Sequence, residues 1–500
     1  RIITWENPFK SDGCTFMAAP YVVKSTSADS VDVSCAFFAA DTGLFQNYLT
    51  STGKYIEMYS DLIGKYPFKN FTVAENFFPT GYGMPAWTLL GQTVLRLPFI
   101  VATSLGHEVL HNWWGNSVYV DYSRGNWCEA ATTYGADYHY KEMESPAAAR
   151  DYRKDILKQY VTYVSKDKDF PIRDFKSRTS TNTRVIGYNK AMMVYHMIEQ
   201  EIGTQAFFDS WKSIYRLYRG QKISWEEWIK TFEKTSGKDL SWVIPQWIDR
   251  VGAPVLALGP VKIDSNATTA SKTLHIAIQD QATRPYHLRI PIRVEGTNLT
   301  IDTTILMDGA EVSVSMTVPS AAQTLAIDPD YHIFRRLYPD EIEPIVSAVL
   351  GAERRAYACT ATDSASVTAF TSFCSALAED TVKITADTSL AMLQKIGAPV
   401  LLNPKTLPEY LKAHVAQTPF QIQLDGTSFD RKGHTFVLAA QGVSDTDRSL
   451  VILTDDLQSL PRLGQLVPHY GKYSYLVFEG TKNVGKGQWP VIRSVLKVAL

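Results

Sequence analysis

The period of the hydrophobic pattern changes along the chain and divides it into regions of different structure. Alternating apolar and polar residues predict strands, whereas apolar residues three or four positions apart predict helices. Residues 1–40 alternate, and from about residue 98 to residue 250 the spacing is helical almost throughout. The expected early elements are strands over Thr15–Val23 and Val31–Phe38, a helix over Leu44–Ile63 and a strand over Phe71–Phe78.

Strict alternation returns beyond residue 253 and predicts a small antiparallel β-sandwich, with strands over Leu274–Ile278, Leu288–Ile292 and Val312–Met316. After Pro339, helical segments alternate with strand-like runs, a pattern typical of an α/β domain. Residues 359–390 are rich in Thr, Ser and Ala and form a low-complexity stretch. The expected elements of this last region are helices over Ile342–Leu350 and Leu407–Val415 and strands over Phe436–Ala440, Leu450–Thr454 and Tyr473–Phe478.

A chain of 500 residues is too long for one hydrophobic core, so we predict a multidomain α+β protein. The chain begins at Arg1, without Met, in the middle of a strand-like pattern, and we therefore expect a processed or truncated chain. The predicted domains are the end of a truncated N-terminal β domain (1–40), a largely helical domain (41–252), a small β-sandwich (253–335) and a C-terminal α/β domain of unknown role (336–500).

The net charge and the longest apolar run limit the classes of binding partner that we expect. A net charge of −1 gives no electrostatic argument for binding nucleic acid. The best apolar run, Trp87–Leu105, is interrupted by Gln92, Arg96 and Pro98, so no membrane-spanning segment is expected.

The five cysteines do not have the spacing of a zinc finger, because no two of them lie two to four residues apart. Cys14 with Cys35 and Cys359 with Cys374 could each form a disulfide, which would leave Cys128 free. The alternative is five separate thiols in a cytosolic protein. The pairing favours an oxidising compartment, and hence a periplasmic or secreted protein.

The most informative motif is HExxH, at His107-Glu108-Val109-Leu110-His111. Residues four apart lie on one face of a helix, so both imidazoles can bind one zinc ion. Glu108 is offset from that pair, which lets its carboxylate contact a metal-bound water instead of the metal. Chance would produce the motif on the order of 0.01 times in such a chain, so a coincidental pair of histidines is disfavoured.

The flanking residues predict a helix around the motif. Pro98 suits the first turn of a helix and Gly115-Asn116 suits its end, which frames about four turns with HExxH in the C-terminal half. Leu105, Val109 and Trp113 recur at a spacing of four, and we expect them to anchor the face opposite the ligands.

A third zinc ligand is expected at Glu129. The alternative is a capping box, because Asn126 lies three residues before Glu129 at the start of a helical pattern. Two histidines and a glutamate leave one tetrahedral position for water, which is the arrangement of a catalytic zinc. His139 and His196 have no ligand spacing in the sequence, and we expect them to be structural, hydrogen-bonded histidines.

The segment His107–Asn116, followed by Asn126–Glu129, resembles a divergent, bacterial-like branch of the zinc aminopeptidases of the aminopeptidase N type, which are gluzincin metallopeptidases. That family continues HExxH with W-[FW]-G-N and places its third ligand eighteen residues after the second His. The gap here is one shorter. Ile186–Ala191 is similar to the family's Y-x-K-G segment. The resemblance covers roughly residues 1–335.

The resemblance implies a thermolysin-like zinc catalytic domain with a helical half over residues 41–252. It implies one zinc per chain, hydrolysis of peptide bonds by a metal-activated water, and a tyrosine that stabilises the transition state. The implied roles are metal binding for His107, His111 and Glu129 and catalysis for Glu108 and Tyr188.

The chain departs from the family at the strand that holds the substrate's α-amine. The family's strand reads G-x-M-E-N, but here Pro85 and Ala86 stand where Glu and Asn belong. An extended peptide is still expected to pair with the strand backbone, and Glu75 is a candidate for a substitute amine anchor. The expected substrate contacts are Gly81, Gly83 and Met84.

Two functions are therefore open. The first is an active zinc peptidase that acts on peptides, without the usual amine-binding Glu. The second is a non-catalytic, zinc-binding module that binds a peptide or protein partner. The intact set of ligands with Glu108 favours the first, and the sequence leaves the oligomeric state open.

Overall fold

The structure is a computed structural model that divides the chain into two compact units, residues 1–336 with 498–500, and residues 337–497. It is multidomain and α+β, as the sequence predicts. The structure describes residues 13, 15–78, 81–266, 270–352, 354–361, 363–378, 381–386, 389–440, 448–491 and 494–500.

Unit 1 begins with a five-stranded sheet whose spatial order is β1-β2-β3-β5-β4. The expected boundary after residue 40 falls inside this sheet, because β1 and β2 belong to the same layer as the strands that follow. Most of the expected strand over Thr15–Val23 is wrong, since β1 begins only at Val22, after Pro20, which has no backbone N–H to donate. The elements are β1 (Val22–Ala28), β2 (Val31–Phe37), β3 (Asn70–Asn76), β4 (Gly81–Met84), β5 (Trp87–Gly91) and, between β2 and β3, the expected helix α1 (Phe45–Leu62).

The helical half of unit 1 follows, and its interior is aromatic. Trp114 lies edge-on to Trp211 and Trp228, with ring centroids 5.3 and 5.1 Å apart, and all three side chains are fully buried. Three segments of this half are π-helical (Tyr134–Tyr138, Val185–Lys190 and Ile244–Ile248). The helices are α2 (Gln92–Leu95), α3 (Ser104–Leu110), α4 (Cys128–Thr133), α5 (His139–Glu144), α6 (Pro146–Tyr163), α7 (Thr181–Arg184), α8 (Ala191–Ile202), α9 (Thr204–Tyr218) and α10 (Trp225–Ser236); β6 (Tyr119–Val120) pairs with β7 (Lys222–Ile223).

The region predicted to be a sandwich contains two four-stranded sheets. One has the order β13-β10-β8, with β9 also paired to β10, and the other has the order β12-β11-β14-β25. The last strand comes from the C-terminal residues, of which 498–500 belong to unit 1. The strands are β8 (Leu256–Leu258), β9 (Lys262–Asn266), β10 (Ser271–Asp280), β11 (His287–Gly296), β12 (Leu299–Asp308), β13 (Glu311–Pro319), β14 (Ala322–Ile327) and β25 (Lys497–Ala499).

Unit 2 is an α/β unit with a seven-stranded mixed sheet of order β16-β15-β17-β22-β21-β23-β24. Along β17, Val400 and Leu402 pack into one core cluster and Leu401 into another, so the strand is buried on both faces. The elements are α11 (Val346–Leu350), β15 (Arg355–Cys359), α12 (Ser364–Ala378), β16 (Ile384–Ala386), α13 (Leu390–Ile396), β17 (Ala398–Leu402), α14 (Glu409–Lys412), β18 (Val415–Gln417), β19 (Gln421–Leu424), β20 (Thr427–Asp430), β21 (His434–Ala440), β22 (Ser449–Thr454), α15 (Leu460–Leu466), β23 (Tyr475–Glu479) and β24 (Lys482–Gly487).

The described cysteines are unpaired. Cys35, Cys359 and Cys374 are buried free thiols, so the expected disulfide between Cys359 and Cys374 is not formed, and both side chains pack as apolar groups in one core cluster. Cys14 lies outside the described residues, and the compartment stays a prediction. None of the helices in the described part of the chain is both long and apolar enough to cross a bilayer.

Candidate metal centre

The HExxH motif lies on α3, which is shorter than the predicted four turns. A 3₁₀ turn over Ile100–Ala102 precedes it, and the backbone of Thr103 (φ −130°, ψ −90°) interrupts the helix between the two segments. His111 is the C-cap, yet its N–H still donates to the carbonyl of His107 at 3.2 Å. The two rings therefore stay on one side of the helix, with centroids 4.9 Å apart.

Glu129 lies between the two imidazoles. Its Oε2 is 3.6 Å from His107 Nε2 and 3.5 Å from His111 Nε2. Ligand bonds of about 2.05 Å around a tetrahedral zinc place neighbouring donors about 3.3 Å apart, so these separations fit that ion. The capping alternative is not what the structure has, because Asn126 Oδ1 accepts from the backbone N–H of Cys128 and Glu129 faces the histidines.

Each of the two imidazoles has a polar partner at Nδ1, the ring nitrogen that does not face Glu129. His107 Nδ1 lies 2.7 Å from Asp137 Oδ2, and His111 Nδ1 lies 3.2 Å from the carbonyl oxygen of Trp114. Acceptors at Nδ1 fix the tautomer that leaves Nε2 free for a metal. Asp137 was missed in the sequence, although it lies eight residues after Glu129, two turns along the same helical run.

The electrostatic environment of His107, His111 and Glu129 favours a bound cation. Burial alone would lower the pKa of His107, but Asp137 and Glu129 raise it to about 10. Burial would also lower the pKa of His111, but Cys128 and Glu129 raise it well above its usual range. Burial would raise the pKa of Glu129, but the two histidines hold it well below its usual range. Two imidazoles and a carboxylate, with donor atoms all within 4.8 Å of one another, thus form a set suited to zinc.

Glu108 faces strand β4. Burial raises the pKa of its carboxyl, although His111 and His107 oppose that shift. A Cβ built on Gly83 would lie 2.7 Å from Glu108 Oε2 and 3.2 Å from His111 Cδ2, and one on Gly81 would lie 3.8 Å from Glu108 Oε1. The strand therefore passes directly beside the group, and its glycines permit the close approach.

Strand β4 is also the last strand of its sheet. Among the described strands it pairs only with β5, and its other edge has no strand partner there; an extended chain pairs with a strand edge of this kind. Met84, the third expected substrate contact, is half-buried at the end of β4.

The turn after β4 has no carboxylate. Ala86 adopts a positive φ of 68°, and its N–H donates to Asn112 Oδ1 at 2.8 Å. The carboxylate of Glu75, the expected substitute anchor, is fully buried and accepts the N–H of Phe38 at 2.7 Å. It also contacts Asp41, which binds Arg96 at 2.7 Å. Glu75 is thus engaged within the sheet.

Tyr188 lies in the π-helical segment Val185–Lys190, and its hydroxyl is directed at Glu129. Burial and the nearby Glu129 carboxylate raise the pKa of this phenol. Its ring lies edge-on to Phe175, with centroids 5.8 Å apart. The structure therefore brings Tyr188 to the same group as His107, His111 and Glu129.

Residues 50–247 match the model of the peptidase family M1 domain. This part of the chain is therefore similar to the M1 peptidase domain. The match lies within the helical half and the sheet that precedes it, and it contains every residue of the candidate metal centre. The family is one of metallopeptidases.

Several characterised relatives are aminopeptidases, at low identity. The chain is similar to human glutamyl aminopeptidase (22% identity over 247 residues, 47% of this chain and 25% of that protein). It is also similar to aminopeptidase N of Escherichia coli K12 (26% over 240 residues, 45% and 27%) and to the mitochondrial aminopeptidase 2 of Saccharomyces cerevisiae (24% over 163 residues, 32% and 17%). The matches thus span about a quarter or less of each relative's length.

A solved structure, that of Legionella pneumophila aminopeptidase A in complex with aspartic acid, superposes with a TM-score of 0.47 at 15% identity, covering 66% of this chain and 39% of that chain.

Proposed function

We propose that this chain hydrolyses peptide bonds, with one zinc ion per chain held by His107, His111 and Glu129. The observation that carries the proposal is the convergence of these three donors within 4.8 Å of one another, with the Glu108 carboxylate beside them and an open strand edge alongside. The match of residues 50–247 to the peptidase family M1 domain supports the same reaction class.

When bound, zinc would polarise the scissile carbonyl and lower the pKa of a water molecule. Glu108 is the general base, and it returns the proton to the leaving amine as general acid. The Tyr188 hydroxyl donates to the oxyanion that develops on the carbonyl oxygen, and Asp137 keeps His107 oriented.

The test compares the chain with Glu108→Gln, using metal content and cleavage of a mixed peptide library by mass spectrometry. The variant should keep its zinc, because Gln at this position leaves all three ligands in place. It should lose about 10²–10⁴-fold in kcat, as expected for removal of a general base. Full activity in Glu108→Gln would contradict the mechanism.

Absence of the usual amine-binding Glu has a consequence for specificity. A carboxylate that faces a substrate ammonium gives a charge-assisted hydrogen bond, and a site built around it rejects peptides without that charge. With Pro85 and Ala86 in that place, we expect N-acetylated peptides to be cut within about tenfold of the free-amine rate, a gap of roughly 1.4 kcal/mol. If acetylation abolishes cleavage of a good substrate, another anchor exists and the chain is an ordinary aminopeptidase.

The second candidate is a non-catalytic, zinc-binding module for a peptide or protein partner, and the same turn at Pro85 and Ala86 favours it. The two are separated by the library experiment. A chain that holds zinc and binds peptides without cutting any of them supports the module and contradicts the peptidase.

A further inference from the structure

A second group of metal-ligating side chains lies in the helical half of unit 1. Glu142 is on α5, and His196 and Glu199 are on α8, with candidate ligand atoms all within 4.8 Å of one another. His196 and Glu199 are three residues apart and therefore share one face of α8. The spacing of residues in the sequence does not indicate this group, because its third member, Glu142, comes from a different helix.

His196 has an unused ring nitrogen in a buried position. Its side chain is 1% exposed, and its Nε2 lies 2.9 Å from His332 Nδ1. Its Nδ1 has no hydrogen-bond partner among the described residues. When Nε2 donates to His332, Nδ1 carries a free lone pair, as a metal ligand requires. His196 is thus buried and hydrogen-bonded, as expected, but only through Nε2.

The carboxylates of Glu142 and Glu199 lie near each other. Glu199 is 5% exposed and accepts a hydrogen bond from the Tyr134 hydroxyl. Glu142 has His139 Nδ1 at 3.6 Å from its Oε2. Among the residues that the structure describes, no lysine or arginine forms an ion pair with either carboxylate. Two neighbouring carboxylates in such a place repel each other, and a divalent cation removes that cost.

We propose that Glu142, His196 and Glu199 form a second site for a divalent transition-metal ion of the zinc type, with His139 at its rim. One imidazole nitrogen with carboxylate oxygens suits zinc. The Glu142 side chain is 30% exposed, which gives the ion a path from solvent. The Tyr134 hydroxyl donates to the Glu199 carboxylate and fixes its orientation from outside the ligand set.

The second ion joins α5 to α8, and each helix directly follows a π-helical segment that carries a residue of the first centre. Asp137 lies in the segment before α5, and Tyr188 lies in the segment before α8. The second site is therefore structural. It goes beyond the proposed function, because it requires no activity of the first centre.

The experiment counts zinc ions. The full chain is stripped with a chelator, loaded with Zn²⁺, passed through gel filtration and analysed by elemental mass spectrometry. The wild type should retain two zinc ions per chain, and Glu142→Gln and His111→Ala should each retain one. Glu144→Gln is the matched control, because Glu144 is on the same helix with a side chain 59% exposed, and it should retain two.

A second readout is thermal stability. Zn²⁺ should raise the melting temperature of stripped His111→Ala, and adding Glu142→Gln to that variant should abolish the rise. Glu142 is at the solvent side of the group, so its amide variant is expected to fold, which circular dichroism verifies. A Glu142→Gln variant that retains as many zinc ions as the wild type would overturn the proposal. Failure of the first centre is separate, since it appears as a zinc count that His111→Ala does not lower.

Discussion

The proposed role of Tyr188, donation to the oxyanion, depends on a single oxygen atom, that of its hydroxyl. It is within reach of Glu129, and its ring is fixed by the edge-on contact with Phe175. A phenol held in that way is preorganised to donate to an oxyanion without reorganisation at the moment of reaction.

Tyr188→Phe should therefore leave the zinc content and the fold unchanged and lower kcat by about 10²–10³-fold, the usual cost of losing one oxyanion donor. Tyr195→Phe is the matched control, because it removes a buried hydroxyl that has no hydrogen-bond partner among the described residues. The control should keep its activity. A Tyr188→Phe effect confined to KM would show that the hydroxyl contacts only the ground state.

At this scale the sequence predicts ligands better than it predicts the residues that support them. HExxH marks His107 and His111 as candidate ligands, and Glu108 as the candidate base, because a metal imposes fixed spacing within one helix. Glu129 required the count along the chain, and Tyr188 required the family resemblance. Asp137 was missed because a hydrogen bond to the far side of an imidazole imposes no spacing in sequence, only proximity in the fold.

Strand β4 influences the site because two of its positions are glycines and have no side chain. Its two glycines allow the backbone to lie against Glu108, where a side chain at Gly83 would collide with the carboxylate. The position of the proposed general base, Glu108, and the position of the strand are thus set together.

Gly83→Ala should displace the Glu108 carboxylate, because the new Cβ would lie 2.7 Å from its Oε2. Since a misplacement of about 1 Å costs roughly 10²-fold, kcat should fall by about that factor while zinc is retained. In Gly81→Ala the new Cβ meets its nearest neighbours at 3.7 and 3.8 Å, ordinary contact distances. The two variants, assayed side by side, should differ in kcat; equal loss in both would mean that backbone stiffening, and not the carboxylate, is responsible.

Elements with a strict period were predicted well, and irregular ones were not. The helix α1 and the sandwich strands lie where the pattern places them, since each has one buried face and one exposed face. The helix α12 (Ser364–Ala378) was not predicted, because its Ser, Thr and Ala residues blur the contrast between faces. The predicted four-turn helix was too long because Thr103 interrupts it through backbone geometry, which leaves no trace in hydrophobicity.

For unit 1 as a whole, stability is coupled to pH through a buried lysine. Lys190 is fully buried, and its Nζ donates to the carbonyls of Gly252 at 2.9 Å and Arg250 at 3.4 Å. Burial lowers its pKa to about 8, although Asp169 opposes that shift. In the unfolded chain a lysine titrates near 10.4.

Because the folded pKa is the lower one, the unfolded chain binds more protons between the two values. The contribution of Lys190 to stability therefore rises as pH increases from about 8 to about 10.4, and it is lost as pH falls through 8. Relative to Lys190→Met, the wild type should gain up to about 3 kcal/mol across this window. Urea unfolding at several pH values, followed by tryptophan fluorescence, measures it, because Trp489 is the only tryptophan outside unit 1.

The exposed Lys54→Met gives the baseline for loss of a lysine. A wild type and a Lys190→Met variant that keep the same difference in unfolding free energy from pH 7 to pH 10.5 would contradict the prediction.

Long-range pairing was the part of the molecule least accessible from sequence. The boundary expected after residue 40 was placed by a change of period, but strand pairing ignores such changes, and β2 lies parallel to β3 across α1. Likewise nothing in the local pattern of β25 indicates that it joins β14.

The pairing of β14 with β25 determines the order in which these strands become available during synthesis on the ribosome. Strand β14 needs β25 on its outer edge, where the N–H of Leu500 donates to the carbonyl of Gln323 at 2.8 Å, but β25 is synthesised about 170 residues later. At translation rates of about 5–20 residues per second, the nascent sandwich keeps a bare strand edge for roughly 10–30 seconds. Unpaired strand edges pair with strands of other chains. The nascent chain is therefore most prone to aggregation, and most in need of a chaperone, during this interval.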